Sequence, residues 1–252
     1  MLAQERQAVI RTQLQTKGRV VAADLAKQFD VSEDAIRRDL RELARLGACR
    51  RVYGGALLPT PDSGDIGHRG TKKNDIKKRL ASQVTSLIED GHAILIDASS
   101  TNVVIAQELP RDKSLTVFTN APAIALALSD HRLCRTVVLG GVFNPSKGAC
   151  LGGRTIREAK GIYADLFILG ACGLDLDAGI TAMEAEEAEV KKCFIEQSSR
   201  LIVALTSDKL GTASPFKIAN ASAIEAIAVQ DDVNQEILDE YRDIGIRILQ
   251  NG

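Results

Sequence analysis

The sequence predicts an α/β protein with a mostly parallel sheet, preceded by a small winged helix-turn-helix module. From Lys73 onward, short apolar runs alternate with helical stretches, the pattern of parallel strands joined by crossover helices. Before that lie three helical stretches and a strand-forming run ending in Gly54-Gly55, with arginines crowded on and after the third helix. Between the two parts, residues 57–71 (LLPTPDSGDIGHRGT) hold two prolines, three glycines and little periodicity, which is linker composition. The expected division is 1–58 for the winged module, 59–72 for the linker and 73–252 for the α/β domain.

In the module, a first helix is expected from about Gln4 to Thr16, with Val9, Ile10 and Leu14 apolar and Lys17-Gly18 ending it. Arg19-Val20-Val21 leads into a second helix, Ala22 to Phe29, and Asp30-Val31 reads as a tight turn. The third helix is expected from Ser32 to Leu46. Ile36, Leu40, Leu43 and Leu46 recur at i, i+4, i+7 and i+10, one buried stripe. Ser32 stands at an N-cap position, Glu33 and Asp34 in the first turn where the macrodipole favours acids, and Gly47 at a natural stop. Arg37, Arg38, Arg41 and Arg45 lie on or beside the polar face, and Arg50 and Arg51 fall in the following run ACRRVY, which has strand composition and reads as a wing. Guanidinium groups pair bidentately with phosphates and guanine edges. A plainer account makes them a solvated face paired as Glu33–Arg37, Asp34–Arg38 and Arg38–Glu42. The order helix, tight turn, helix, wing favours a DNA groove. Ser32, Glu33, Asp34, Arg37, Arg38 and Arg41 would then meet the groove, with Arg50 and Arg51 on phosphate.

In the second part a basic helix follows Lys73. Strands are expected near Ala93 to Asp97, Leu115 to Thr119, Thr136 to Leu139, Leu166 to Gly170, Leu201 to Leu205, Ala226 to Val229 and Arg247 to Leu249. Helices are expected near Asn102 to Glu108, Ala121 to Ser129, Thr155 to Lys160, Glu186 to Gln197 and Asn234 to Ile244. Ligands of an open parallel sheet sit at the carboxyl ends of the strands. There stand Asp97 and the hydroxyl run Ser99, Ser100 and Thr101 before Asn102, a phosphate cradle at a helix start or a serine-rich cap serving only the helix. Asn120, Gly140, Gly141, Gly170, Gly173 and Asp175 follow later strands, the glycines permitting close ligand approach or making ordinary turns. Glu187 and Lys191 are i, i+4, as ligand groups or as a surface pair, and Lys209 is placed for an anion.

The chain has 252 residues, 45% of them hydrophobic, and a formal net charge of −1. That balance by itself suggests no nucleic-acid partner, but residues 1–58 carry 11 Lys+Arg against 7 Asp+Glu, and the remainder 21 against 26. Positive charge is therefore concentrated on the module. One such module buries too little for high specificity, so a homo-oligomer, dimer or tetramer, is expected. No apolar run is long enough to span a membrane and the amino terminus is too polar for a signal peptide, so a cytoplasmic, nucleoid-associated protein is expected. The five cysteines form no C-x-x-C pair. His68, His92 and His131 have no metal-ligand spacing, Glu184, Glu186, Glu187 and Glu189 read as a solvated face, and neither metal nor cofactor is expected.

VSEDAIRRDLREL followed by RRVYGGA resembles the winged helix-turn-helix signature of the DeoR-type family of bacterial sugar-metabolism transcriptional regulators. Ala35 stands where that family usually has threonine. The similarity extends from about Glu5 to Leu249 and implies an effector domain related in fold to ribose-5-phosphate isomerase, sensing a phosphorylated sugar or sugar derivative. The family's Asp-Ser-Gly-Thr-Thr loop falls on Asp97 to Thr101, where Asp97 and Thr101 match. Its Gly-Ala-Asp-Gly-Ile-Asp motif falls on Gly170 to Asp175, with Cys172 replacing the first aspartate. Glu187, Lys191 and Lys209 match, and Thr206 replaces an aspartate. The resemblance implies a repressor that leaves its operator DNA when the effector binds, with no catalytic residue. The alternative is a sugar-phosphate isomerase-like enzyme with an accessory DNA-binding module, drawing acid and base groups from Asp97, Asp175, Glu184, Glu187 and Lys209.

Overall fold

The computed structural model describes residues 1–61, 65–66 and 73–250. Most of the expected linker lies outside the described residues, as does His68. The module comprises α1 (Ala3–Lys17), β1 (Arg19–Val21), α2 (Ala22–Phe29), α3 (Glu33–Arg45), β2 (Arg50–Val52) and β3 (Gly55–Pro59). Gly18 ends α1 and Asp30 ends α2, both in the left-handed region that lets a chain leave a helix sharply. The Ser32 hydroxyl caps α3, accepting from the Ala35 amide at 3.3 Å.

Ile10, Leu14, Leu25, Ile36, Leu40 and Leu43 form the module's core. Leu46, expected in that stripe, is 63% exposed, because the helix closes at Arg45 and Leu46 is already its C-cap. An unpredicted polar contact lies inside: Asp39 accepts from Arg6 Nε at 2.5 Å and from Gln7 Nε2 at 3.0 Å, joining α3 to α1. Residues 19–21, expected only as a lead-in, form a strand. β3 is paired on one edge by β1 and on the other by β2. A Cβ added at Gly55 would stand 2.0 Å from the Val20 carbonyl oxygen, so the wing requires glycine there.

The second domain runs α4 (Asn74–Thr85), β4 (Ala93–Ile96), α5 (Ser100–Gln107), β5 (Leu115–Thr119), α6 (Pro122–Ala127), β6 (Cys134–Val138), β7 (Val142–Asn144), β8 (Ala149–Leu151), α7 (Gly153–Ala159) and β9 (Leu166–Leu169). It continues β10 (Gly173–Asp175), β11 (Gly179–Ala182), α8 (Ala185–Glu196), β12 (Leu201–Ala204), β13 (Thr212–Ala213), β14 (Phe216–Ala219), β15 (Ala226–Ala228), α9 (Gln235–Asp243) and β16 (Arg247–Leu249). Seven parallel strands form the sheet, in the order β16-β15-β12-β9-β4-β5-β6. Alternate residues feed two cores. Leu95, Phe167, Leu169 and Val203 serve one face, and Ile94, Ile96, Ile168 and Ile202 the other. Burial on both sides explains why these strands read as continuous apolar runs.

The β7–β8 hairpin and the antiparallel β10–β11–β14 sheet were not expected; each strand is only three or four residues long and is held by its neighbours. Nor was β13, which pairs in parallel with β3, Thr212 opposite Leu58 and Ala213 opposite Pro59. The wing's sheet therefore continues into the second domain, past the expected boundary at residue 58.

Candidate effector site and DNA-facing surface

The chain leaves β4 toward β5 and β6 on one side, and β9 opens the other side, so the topological switch point lies between β4 and β9. Asp97 follows β4 and Gly170 follows β9. Asp97 Oδ1 accepts from the Gly170 amide at 2.7 Å and from Asn102 Nδ2 at 2.7 Å. Its Oδ2 accepts from Lys191 Nζ on α8, which also donates to the Gly170 carbonyl at 2.7 Å and lies 3.4 Å from Glu187 Oε1. Asn102 donates as well to the Ile168 carbonyl at 3.0 Å, tying α5 to the end of β9.

Burial pushes the Asp97 carboxyl upward against the pull of the Lys191 ammonium and the Gly170 amide. Burial also works against the charge on Lys191, but Asp97 and Glu187 outweigh it and raise that group above the ordinary lysine range. Of the expected hydroxyls, Ser99 caps α5 through the Asn102 amide at 2.9 Å, Thr101 is buried, and Ser100 remains half-buried.

A cavity of about 10 Å³ opens beside this pair, lined by Asp97, Ala98, Asn120, Lys147, Glu187 and Lys191 among others. Asn120 Oδ1 and Glu187 Oε2 are buried there without a hydrogen bond. Lys147 was missed in the sequence. It sits on the turn between β7 and β8, with Nζ 3.4 Å from Glu184 Oε1 and 3.7 Å from Glu187 Oε2. The run Asn144-Pro145-Ser146-Lys147-Gly148 signals a turn, but nothing local says that the turn folds back over the sheet edge. The Ser146 carbonyl accepts from the Ile66 amide at 3.0 Å, so a residue of the expected linker touches this hairpin.

The other expected effector residues are dispersed. Lys209 Nζ donates to the Ala171 carbonyl at 2.9 Å, one residue beyond Gly170. Asp175 Oδ1 closes the β10–β11 turn by accepting from the Asp177 and Ala178 amides at 3.0 and 2.9 Å. Gly173 packs beneath Thr60 and Thr212 at the junction with the wing. Gly140 and Gly141 pack against α7, where the Thr155 hydroxyl donates to the Gly140 carbonyl at 2.6 Å. Asp175, Gly140, Gly141 and Gly173 do not line the switch-point cavity.

On the module, Ser32, Glu33, Asp34, Arg37, Arg38 and Arg41 share the exposed face of α3. Arg37 reaches both Glu33 at 3.0 Å and Asp34 at 3.3 Å. Of the three pairs a plain solvated face would form, Glu33–Arg37 is present, while Arg38 donates to the Asp34 carbonyl at 3.3 Å and Glu42 pairs with Arg45 at 2.6 Å. Arg51 is exposed and Arg50 half-buried on β2.

Residues 6–62 match the DeoR-like helix-turn-helix domain, and residues 72–231 match the DeoR C terminal sensor domain. The HTH-type transcriptional repressor GlcR of Bacillus subtilis (strain 168) is 29% identical, over 99% of this chain and 96% of that protein. The glycerol-3-phosphate regulon repressor of Escherichia coli (strain K12) is 28% identical, over 84% of each chain. Among solved structures, ribose 5-phosphate isomerase A from Neisseria gonorrhoeae covers 56% of each chain with a TM-score of 0.42 and 13% identity.

Proposed function

The chain belongs to the DeoR family, a helix-turn-helix DNA-binding domain followed by a sensor domain, and from that premise we propose a repressor of a carbohydrate-metabolism operon, released by a phosphorylated sugar or sugar derivative. The observation that carries the proposal is the join between the domains. β13 pairs with wing strand β3, and it lies three residues after Lys209, whose ammonium reaches the loop following Gly170. A ligand that moves the Lys209 segment moves the wing. The effector reading of the switch point rests on the convergence of Asp97, Asn102, Asn120, Glu187 and Lys191, with Lys209 held to the Ala171 carbonyl just beyond Gly170.

A cavity of about 10 Å³ holds roughly one water, not a sugar phosphate. Ligand entry therefore requires the β7–β8 hairpin to lift and Lys147 to leave Glu184 and Glu187. An anionic ligand supplies the replacement partner, and binding and rearrangement become the same event. The ion pair of Asp97 with Lys191 favours a sensor over an isomerase that would use Asp97 as its base, since that chemistry needs a carboxylate free to take a proton.

The test is a thermal-shift panel of sugar phosphates on the purified protein, followed by operator gel shifts with and without each hit. A hit that stabilises the protein and releases DNA is expected, with release lost in the Ser100→Ala, Lys209→Ala double variant. Arg38→Ala should weaken DNA binding and leave ligand binding unchanged. Turnover of a sugar phosphate abolished by Asp97→Asn would instead support the enzyme.

A further inference from the structure

Between the wing and the sensor domain lies a cleft of about 570 Å³. Wing strands form one wall, and the Asp177-Ala178 turn with β13 and β14 forms the other. Arg19, Arg50 and Arg51 line it from the wing and Lys217 from β14, against one acid, Asp177. Arg19 is already shared between Asp177 at 3.9 Å and Glu240 at 3.6 Å. Among the described residues, Arg50, Arg51 and Lys217 form no ion pair, and Arg50 Nε is buried without an acceptor. A buried charged donor without a partner is unfavourable, and an incoming oxygen would relieve it.

We infer that this cleft binds the phosphodiester backbone of DNA, and that Lys217, a residue of the sensor domain, takes part in the contact. The inference rests on the DNA-binding reading above and adds a second domain to the interface. Three of the four cations belong to wing strands, and the cleft runs to the wing tip, where Tyr53 is fully exposed and lines it with Gly54. Residues after 58 carry a net negative charge, yet of the two charged side chains they present here the acid, Asp177, is paired with Arg19, and the other is Lys217, on a strand where it lies opposite Thr181. Cations spread along two walls match a backbone that repeats single charges along its length. Such contacts position a duplex without reading its sequence. Arg51 moves with the wing and Lys217 with the sensor domain, so one strand is gripped from both sides only while their relative placement holds.

The experiment is fluorescence anisotropy of the full-length protein with a mixed-sequence DNA duplex across a salt series, for wild type, Arg51→Ala, Lys217→Ala and Lys217→Glu. Lys217→Ala should reduce the slope of log affinity against log salt by about 1, and Lys217→Glu should weaken binding further. The thermal midpoint of the free protein should not change. An unchanged slope in both Lys217 variants, with Arg51→Ala still reducing it, overturns the cleft contact and leaves the DNA reading standing. Wild-type protein that binds no duplex at any salt brings down both. Stabilisation by inorganic phosphate that is lost in Lys217→Ala, with the DNA slope unchanged, overturns the proposal and reassigns the cleft to a small anion.

Discussion

Leu58 of the wing lies opposite Thr212 of the sensor domain in a two-residue parallel ladder. Thr212 Oγ1 donates to the Lys209 carbonyl at 2.9 Å, so this segment has the Lys209 loop at one end and the wing on its edge. Hydroxyls reinforce the join. Ser214 Oγ donates to Thr60 Oγ1 at 2.8 Å, Thr60 and Thr212 hydroxyls are 3.3 Å apart, and Thr181 Oγ1 accepts from the Ser214 amide at 2.9 Å.

Replacing Thr60 by Val together with Ser214 by Ala removes both partners of one hydrogen bond and leaves Thr212 Oγ1 on the Lys209 carbonyl, so it should cost about 1 kcal/mol or less. Ligand affinity measured by calorimetry should stay near wild type, while the ligand-induced drop in DNA affinity shrinks. An undiminished drop would mean that coupling takes another route.

Lys191→Met leaves Asp97 buried without its counter-charge and should destabilise the protein by about 3–5 kcal/mol in urea unfolding. Adding Asp97→Asn should restore much of that loss, since the uncompensated charge is gone. A double variant no more stable than the single one would place the cost elsewhere.

Lys147→Met should lower affinity for an anionic effector by about tenfold or more, the loss of one charge-assisted hydrogen bond. DNA affinity without ligand should hold, because Lys147 faces Glu184 and Glu187 rather than the module. Equal thermal shifts from the ligand in wild type and variant would remove Lys147 from the site.

Asp208 pairs with Lys73 at 2.9 Å, fastening the start of α4 to the segment that carries Lys209. Burial opposes its ionisation, but the Thr206 hydroxyl and the Lys73 ammonium outweigh burial and hold the carboxyl below its usual value of 3.8. A depressed carboxylate stabilises the fold above its unfolded pKa and loses that contribution as pH falls through the folded one. The difference in thermal midpoint between wild type and Asp208→Asn should therefore be flat from neutral pH to about 5 and vanish toward strong acid. A difference that grows on acidification would reverse the assignment.

Local signals made the helices of the module and the seven parallel strands legible. The stripe of Ile36, Leu40 and Leu43, the Ser32 cap and the stop at Gly18 are decided within a few residues of chain, as are apolar runs such as Ile94 to Ile96. Those runs in turn placed Asp97 and Lys209 just beyond strand ends, and the order of elements placed Lys191 on a helix beside them. The sequence by itself therefore determined the two kinds of domain and which strand ends to inspect. It left Asp97, Glu187 and Lys191 as separate candidates, since a charged side chain does not carry its partner's identity. Only the fold closed Asp97 onto Lys191 across 94 positions and turned Asp175 and Gly173 to structural use. Only the fold, too, brought Lys147 over the sheet edge beside Glu184 and Glu187 and set β13 beside the wing. Strands of two or three residues have too little intrinsic preference to form alone, so their pairing is settled by whichever open edge the rest of the chain brings to them.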